Sequence, residues 1–275
     1  MKQPDWETLC RRVREIAGEA AAYIAAERQQ FTADRIETKG TFNFVSYVDK
    51  GAEQLIVGAL SALLPEAGFI AEEGGGRIDP QAPYQWIIDP LDGTTNFVHG
   101  MPPYAVSIGL WDTQAREAVV GVVHEVTQGE CFYTWKGAEG AWANGRPIEV
   151  SGVARVEDAL VLTGLAYGLK PAVVHHFEQS FAYFNRHSHG ARRLGSAATN
   201  LVYVACGRAD AFYHTDLAPW DVAAGAFIVR QAGGQVSDFG GGEDYTFGRS
   251  LVAAAPGVWD EVFRLVAGET FNECK

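Results

Sequence analysis

No cysteine in this chain has a near neighbour of its own kind: Cys10, Cys131, Cys206 and Cys274 are the only four, and no CxxC occurs. That spacing argues against a thiolate zinc knuckle and gives no sign of a disulfide framework, so the sequence reads as made for a reducing compartment. Long hydrophobic runs are missing too. Stretches such as LVAAAP at 251–256 fall far short of the roughly 20 residues a membrane span requires. The opening MKQPDWETLCRRVREIAGEAAAYI interleaves charges with its apolar positions, whereas a secretory signal carries an unbroken apolar core. The cytoplasm is therefore the expected location. Basic residues are also few, 22 Lys and Arg against 34 Asp and Glu, for a formal charge of -12, and Arg192–Arg193 is an isolated pair. Such a surface disfavours nucleic-acid backbones and anionic membranes as partners. A small phosphorylated compound stays open, because bound divalent cations reverse the local field.

What the chain does have is apolar material, 47% of its residues, enough for one large core or two closely packed halves. Trp6, Leu9, Val13, Ile16 and Ala20 recur at steps of three and four and predict an amphipathic helix. A second helix is predicted after Asp49, with Leu55, Ile56, Ala59, Leu60 and Leu63 inward and its end before Pro65. The period then shortens. GFI from 68, YQWII from 84, YAVSIGLW from 104, EAVVGVVHEV from 117 and ECFYTWK from 130 read as strands, with a tight turn at Asn144 and Gly145. Beyond a boundary near 145–155, strands are predicted at ALVLTG from 159, AFYH from 211, QVSDF from 235 and SLVAAAP from 250. Helices are predicted through HHFEQSFAYF from 175, AATNLVYVACG from 197, DVAAGAFIVRQAGG from 221 and VWDEVFRLVAG from 258. This alternation implies sheets covered by helices, in an N-terminal α+β half over residues 1–150 and a C-terminal α/β half over 151–275.

Three segments concentrate the chemistry. In WIIDPLDGTTNF, residues 86–97, Asp89 stands at the exit of a buried strand and Pro90 forbids continuation of the ladder. Asp92 can turn back to the same point, and the Leu91 carbonyl offers a third oxygen, an environment suited to a hard cation such as Mg²⁺. Gly93 leaves room for a ligand, and a helix starting there would aim free amides at a phosphate. The Asp92–Gly93 pair is equally a turn signal. AEEGGG, residues 71–76, places Glu72 and Glu73 after an apolar run, where they read either as a ligand with its neighbour or as a solvated acidic turn. APWDVAAG, residues 218–225, puts Asp221 at the mouth of an apolar helix, as a metal ligand or as an ordinary N-cap. The HxH at His187 and His189 does not read as a second metal centre.

Taken together, AEEG, DPLDGTTNF and PWDVAAG resemble the signatures of the inositol monophosphatase family, within the magnesium-dependent, lithium-sensitive phosphatases. KGTFNFVSYVDKGAEQLI (39–56), ANGRPIEVS (143–151), RRLGSAATNLVYVACGRADAFY (192–213) and AGGQVSDFGG (232–241) extend the likeness across nearly the whole chain, and HGMPPYAVSIGL favours this branch over sugar and nucleotide phosphatases. The resemblance implies a layered αβαβα sandwich, a homodimer, and two or three Mg²⁺ ions. It implies that Glu72, Asp89 and the Leu91 carbonyl hold one ion and that Asp89, Asp92 and Asp221 hold another. Glu72 and Thr94 would activate the attacking water with help from Asp49, Lys39 would sit on a flap, and the Gly93 and Thr94 amides would hold the phosphate. On the substrate side it implies Asp92, Gly195, Ser196, Ala197 and Asp221, with Ser196 where threonine is common.

One position departs from the pattern. Seven residues before the WD aspartate, where the family carries a glutamate that accepts inositol hydroxyls, this chain has His214. Asp216 would replace the acid only if the strand stayed extended that far. The expected activity is Mg²⁺-dependent hydrolysis of inositol monophosphate or a related small polyol phosphate. 3′-Phosphoadenosine 5′-phosphate, histidinol phosphate and sugar phosphates are the alternatives.

Overall fold

A computed structural model describes residues 5–32, 36–40, 43–165 and 169–267, with the backbone alone given for 36–40 and 43–46. Lys39's side chain and Cys274 lie outside what is described; Cys10, Cys131 and Cys206 are free thiols. No described helix is long and apolar enough to cross a membrane.

The first helix, α1 (Trp6–Gln29), starts where Asp5 accepts the Thr8 amide at 3.2 Å, and it buries the predicted stripe of Trp6, Leu9, Val13, Ile16 and Ala20. A short hairpin follows, β1 (Ile36–Gly40) with β2 (Asn43–Ser46), and leads into α2 (Tyr47–Leu63). This second helix corrects the sequence reading in two ways. It begins two residues before Asp49, so Asp49 sits in its first turn. Its buried face is Val48, Asp49, Ala52, Glu53, Ile56 and Leu60, two acids among them, while Leu55, Ala59 and Leu63 are only partly covered. A search for apolar periodicity passes over buried carboxylates, and so mis-aims the helix by a fraction of a turn.

Seven strands then form one sheet: β3 (Gly68–Ala71), β4 (Tyr84–Asp92), β5 (Ala105–Asp112), β6 (Glu117–Glu125), β7 (Glu130–Trp135), β8 (Ala141–Ala143) and β9 (Arg146–Ile148), in that spatial order. The short α3 (Thr94–His99) interrupts them after β4. Only β3 and β4 pair in parallel, and the rest is an antiparallel meander. Asn144 and Gly145 make the β8–β9 turn with φ of 47° and 82°, left-handed at both central positions, as a tight hairpin demands. The second sheet comprises β10 (Val161–Leu165), β11 (Ala191–Arg192), β12 (Ala211–Thr215), β13 (Gln235–Ser237) and β14 (Ser250–Ala254), ordered β11-β10-β12-β14-β13. Its helices are α4 (Pro171–His187), α5 (Ala197–Ala205), α6 (Pro219–Gln231) and α7 (Trp259–Val266).

The apolar clusters show how these pieces stack. One core joins α1 and α2 to the outer face of the larger sheet. A second lies around α5 and α6, between the two sheets. A third joins α4 and α7 to the far face of the smaller sheet. The layers are thus helix, sheet, helix, sheet, helix, the αβαβα sandwich that was expected.

The middle layer can approach the larger sheet closely because two cross-strand partners, Gly109 and Gly121, have no side chains. A Cβ on Gly121 would lie 2.9 Å from the Ala224 carbonyl of α6, and one on Gly109 would lie 3.2 Å from the Ala223 Cβ. On α6 itself, a Cβ at Gly225 would meet the Leu201 Cβ of α5 at 2.7 Å. Gly121→Ala is therefore expected to lift α6 off the sheet and cost roughly 1–3 kcal/mol of stability, read from chemical denaturation.

Candidate active site

Asp89 and Asp92 are three residues apart, an odd spacing that on a regular strand sends side chains to opposite faces. Here β4 does not stop at Asp89 as the sequence suggested; it continues through Pro90 with an irregularity. Asp89 pairs with Ser107 and Asp92 with Ala105, so two residues of β4 face one of β5 in between. This bulge restores parity and brings both carboxylates to one side. Pro90, unable to donate to a ladder, occupies the interruption.

The third acid arrives from α6. Its N-cap is Ala218 and Pro219 opens the first turn, so Asp221 is the third helical residue and not the N-cap that was considered. Its Oδ2 reaches back to accept the Ala218 amide at 2.7 Å. Ser107, the cross-strand partner of Asp89, donates its hydroxyl to the Trp220 carbonyl at 3.1 Å and ties the helix start to the sheet. The result is a trio, Asp89, Asp92 and Asp221, each offering an oxygen within 4.8 Å of the others. Asp89 is only 2% exposed and Asp92 7%.

Burial pushes the Asp89 carboxyl well above the usual aspartate range, and the neighbouring charges of Glu72, Asp92 and Asp221 push it further. Asp221 is raised likewise, by burial and then by Asp92. Burial also raises Asp92, against the pull of donors from α5. Those donors are the Ser196 hydroxyl and the amides of Ala197 at 3.2 Å and Ala198 at 2.7 Å, so Asp92 sits on the N-terminus of α5. An oxygen-rich set of crowded, buried carboxylates fits a hard divalent cation, whose charge offsets both their desolvation and their repulsion.

Two further acids complete the surroundings. Glu72 follows β3, its amide held by the Ile88 carbonyl at 3.1 Å, and its carboxylate stands close enough to Asp89 to raise that group's pKa. Asp49, 1% exposed in the first turn of α2, accepts the Thr94 hydroxyl at 2.9 Å, while the Leu91 carbonyl lies 3.1 Å from the same oxygen. Gly93 caps α3 with φ of 95°, and a Cβ there would crowd Pro103, Gly195 and Ser196. Among the described residues, the candidates Asp49, Glu72, Asp89, Leu91, Asp92, Gly93 and Thr94 therefore converge at one end of β4. Glu53 was not singled out by the sequence reading; its spacing of four from Asp49 on a helix was the available signal.

Beside the trio opens a cleft of 370 Å³, lined among others by Asp92, Asn96, Gly195, Ser196, His214 and Asp221. A larger hollow of 620 Å³ near Arg14 and Trp135 shares none of its lining residues. His214, on β12, turns the Cδ2–Nε2 edge of its ring to β10: a Cβ on its partner Gly164 would be 2.1 Å from the imidazole Cδ2. Its Nδ1 is 2.6 Å from the Thr215 carbonyl and so carries the proton, leaving Nε2 as an acceptor. Burial pushes this imidazole down to about 4, the Thr215 hydrogen bond opposes that, and nearby Arg193 reinforces it. Asp216 does not replace the acid the family carries here. The strand ends at Thr215, Asp216 turns left-handed at φ 63°, and its carboxylate is taken by Arg249.

The raised carboxylates fix the sign of a pH dependence. A group whose folded pKa exceeds its unfolded value stabilises fully below the unfolded value, and that contribution is lost as pH rises through the folded one. Metal-free protein should thus lose stability as pH climbs from about 4 towards 8. Asp89→Asn should flatten this slope and be the more stable protein at pH 8, by roughly 1–3 kcal/mol, when both are unfolded in chelator. Added Mg²⁺ should stabilise the wild type and not the variant.

Residues 5–268 match the inositol monophosphatase family. An inositol-1-monophosphatase of Mesorhizobium japonicum is 40% identical over 221 residues, 80% of this chain and 81% of that protein. The Nus factor SuhB of Escherichia coli is 39% identical over 229 residues, 82% of this chain and 84% of its own length. Among solved structures, the extragenic suppressor protein suhB of Bartonella henselae superposes with a TM-score of 0.84 at 34% identity, covering 92% of this chain and 95% of that one. By sequence across its length and by the layering of its sheets, this chain belongs to the inositol monophosphatase family.

Proposed function

We propose that the protein is a Mg²⁺-dependent phosphomonoesterase that releases inorganic phosphate from inositol monophosphate or a related small polyol phosphate. The observation that carries this reading is the Asp89, Asp92 and Asp221 trio set beside a hydroxyl, Thr94, that is itself oriented by a buried carboxylate, Asp49. In this reading Glu72, Asp89, the Leu91 carbonyl, Asp92 and Asp221 hold two or three Mg²⁺ ions. The ions supply positive charge that neutralises the phosphoryl oxygens and makes deprotonation of a water feasible near neutral pH.

The chain's own groups do the rest. With its proton directed at Asp49, the Thr94 hydroxyl keeps its lone pairs for a water and fixes that water's orientation. Glu72, beside Asp89, is the base that takes the proton. The amides of Gly93 and Thr94, at the start of α3, hold the phosphate opposite this water. The alcohol leaves into the 370 Å³ cleft, past Gly195, Ser196 and Ala197. There His214 presents Nε2 as a neutral acceptor to a hydroxyl, where an anionic glutamate would bind more strongly and more selectively. The same acceptor suits the ammonium of histidinol, so histidinol phosphate is the second reading.

Phosphate release from inositol 1-phosphate, histidinol phosphate, 3′-phosphoadenosine 5′-phosphate and fructose 1,6-bisphosphate, with and without Mg²⁺, tests both. A metal-dependent preference for inositol 1-phosphate is expected, with Asp89→Asn lowering turnover by about 100-fold or more. Unchanged turnover in that variant would sink the mechanism, and preference for another compound would move the substrate alone. The sequence pattern makes a cytoplasmic location, and the family resemblance a homodimer, part of this proposal, and sedimentation equilibrium measures the dimer.

A further inference from the structure

The buried face of α2 carries two acids four residues apart, and the proposed mechanism uses only the first. Asp49 holds Thr94. One turn on, Glu53 is 3% exposed and spends both carboxylate oxygens on the loop after β3: Oε2 accepts the Glu73 amide at 2.8 Å and Oε1 accepts the Gly75 amide at 2.7 Å. A buried carboxylate that takes two amides is a strong, directional clamp. The residue immediately before the first of these amides is Glu72, whose own amide is fixed to Ile88, next to Asp89. The turn between them closes with the Gly74 amide on the Ala71 carbonyl at 3.1 Å. Glu72 is therefore pinned on the sheet side by β4 and on the helix side by Glu53.

The sequence of the loop is fitted to this clamp. A Cβ on Gly75 would stand 2.6 Å from Glu53 Oε1, so a side chain there must shift the loop or the carboxylate away from the observed geometry. Gly75, unlike Gly74 and Gly76, does not adopt positive φ. Its lack of a side chain serves the approach of the Glu53 carboxylate and not a backbone conformation that only glycine reaches.

We infer that Glu53 is a positioning residue, which sets Glu72 against Asp89 by gripping the Glu73 and Gly75 amides, so that a single helix face orients both Thr94 and Glu72. This rests on the functional reading above, in which Glu72 is ligand and base. Acting through Glu72, Glu53 changes cation affinity and turnover, while the cleft that holds the alcohol is untouched.

The test compares Glu53→Gln, Gly75→Ala, Glu72→Gln and the Glu53→Gln/Glu72→Gln double variant in two assays: Mg²⁺ titration by calorimetry without substrate, and steady-state hydrolysis. Glu53→Gln replaces one acceptor with a donor facing an amide; Gly75→Ala keeps every carboxylate and pushes the loop off the clamp with one methyl. Both are expected to weaken Mg²⁺ binding and lower kcat by about 10-fold or more, as supporting groups around a metal site do, with KM within about 2-fold. The double variant is expected to be no worse than Glu72→Gln, since one residue works through the other. Wild-type Mg²⁺ affinity in folded Glu53→Gln or Gly75→Ala, or losses that multiply in the double variant, would overturn the inference. Should Glu53→Gln fail to fold, Gly75→Ala decides alone, by the same affinity and kcat readouts. A wild type that binds no Mg²⁺ and hydrolyses nothing would overturn the functional reading and this inference with it; an active wild type with unaffected variants overturns this inference only.

Discussion

Three aspartates, two of them buried, repel one another across less than 5 Å, and most of the architecture around them exists to hold them there. Without a counter-ion the arrangement is unfavourable, because desolvation and like charge both oppose ionisation. The protein meets part of that cost from its backbone. Asp92 rests on the amides that open α5, and Asp221 takes an amide at the start of α6, so two helix N-termini direct their partial positive charge at the cluster. Asp89 has the Leu91 amide at 2.9 Å and little else of that kind, and its carboxyl is shifted well upward. The remaining deficit is of the kind a divalent cation would offset.

Bringing the three together requires backbones to approach more closely than ordinary side chains permit. The bulge at Pro90 sets two of the acids on one side of β4. The paired glycines at 109 and 121, facing Ala223 and Ala224, let α6 settle onto the sheet so that its first turn reaches the same point. Core packing and site geometry are thus one problem here: a methyl group added in the middle layer would move a carboxylate at its edge.

The two sides of the site differ in kind. On the α2 side, buried carboxylates grip hydroxyl and amide donors, an anchoring that suits chemistry needing fixed angles. On the cleft side, the wall includes a neutral imidazole packed against a glycine, the cation Arg193, and an aspartate already committed to Arg249.

The sequence by itself determined the order of most helices and strands, because apolar period is a local property that survives folding. It also displayed the acids Asp89, Asp92, Asp221 and Glu72, since the Pro, Gly and Thr near them mark where a chain turns, and the family likeness added Asp49 and gathered them into one site. Tertiary structure alone decided the rest. Parity of Asp89 and Asp92 depends on a bulge defined by a partner strand; the inward face of α2 depends on what its acids meet; and Glu53 looked like any helical surface glutamate until the loop after β3 folded over it. Asp216 could serve in place of the missing acid only from an extended strand, yet it turns left-handed and pairs with Arg249, 33 residues on. Each of these is set by a contact between residues distant in the chain, and pattern along a single sequence carries no record of which distant group will be there to accept or donate.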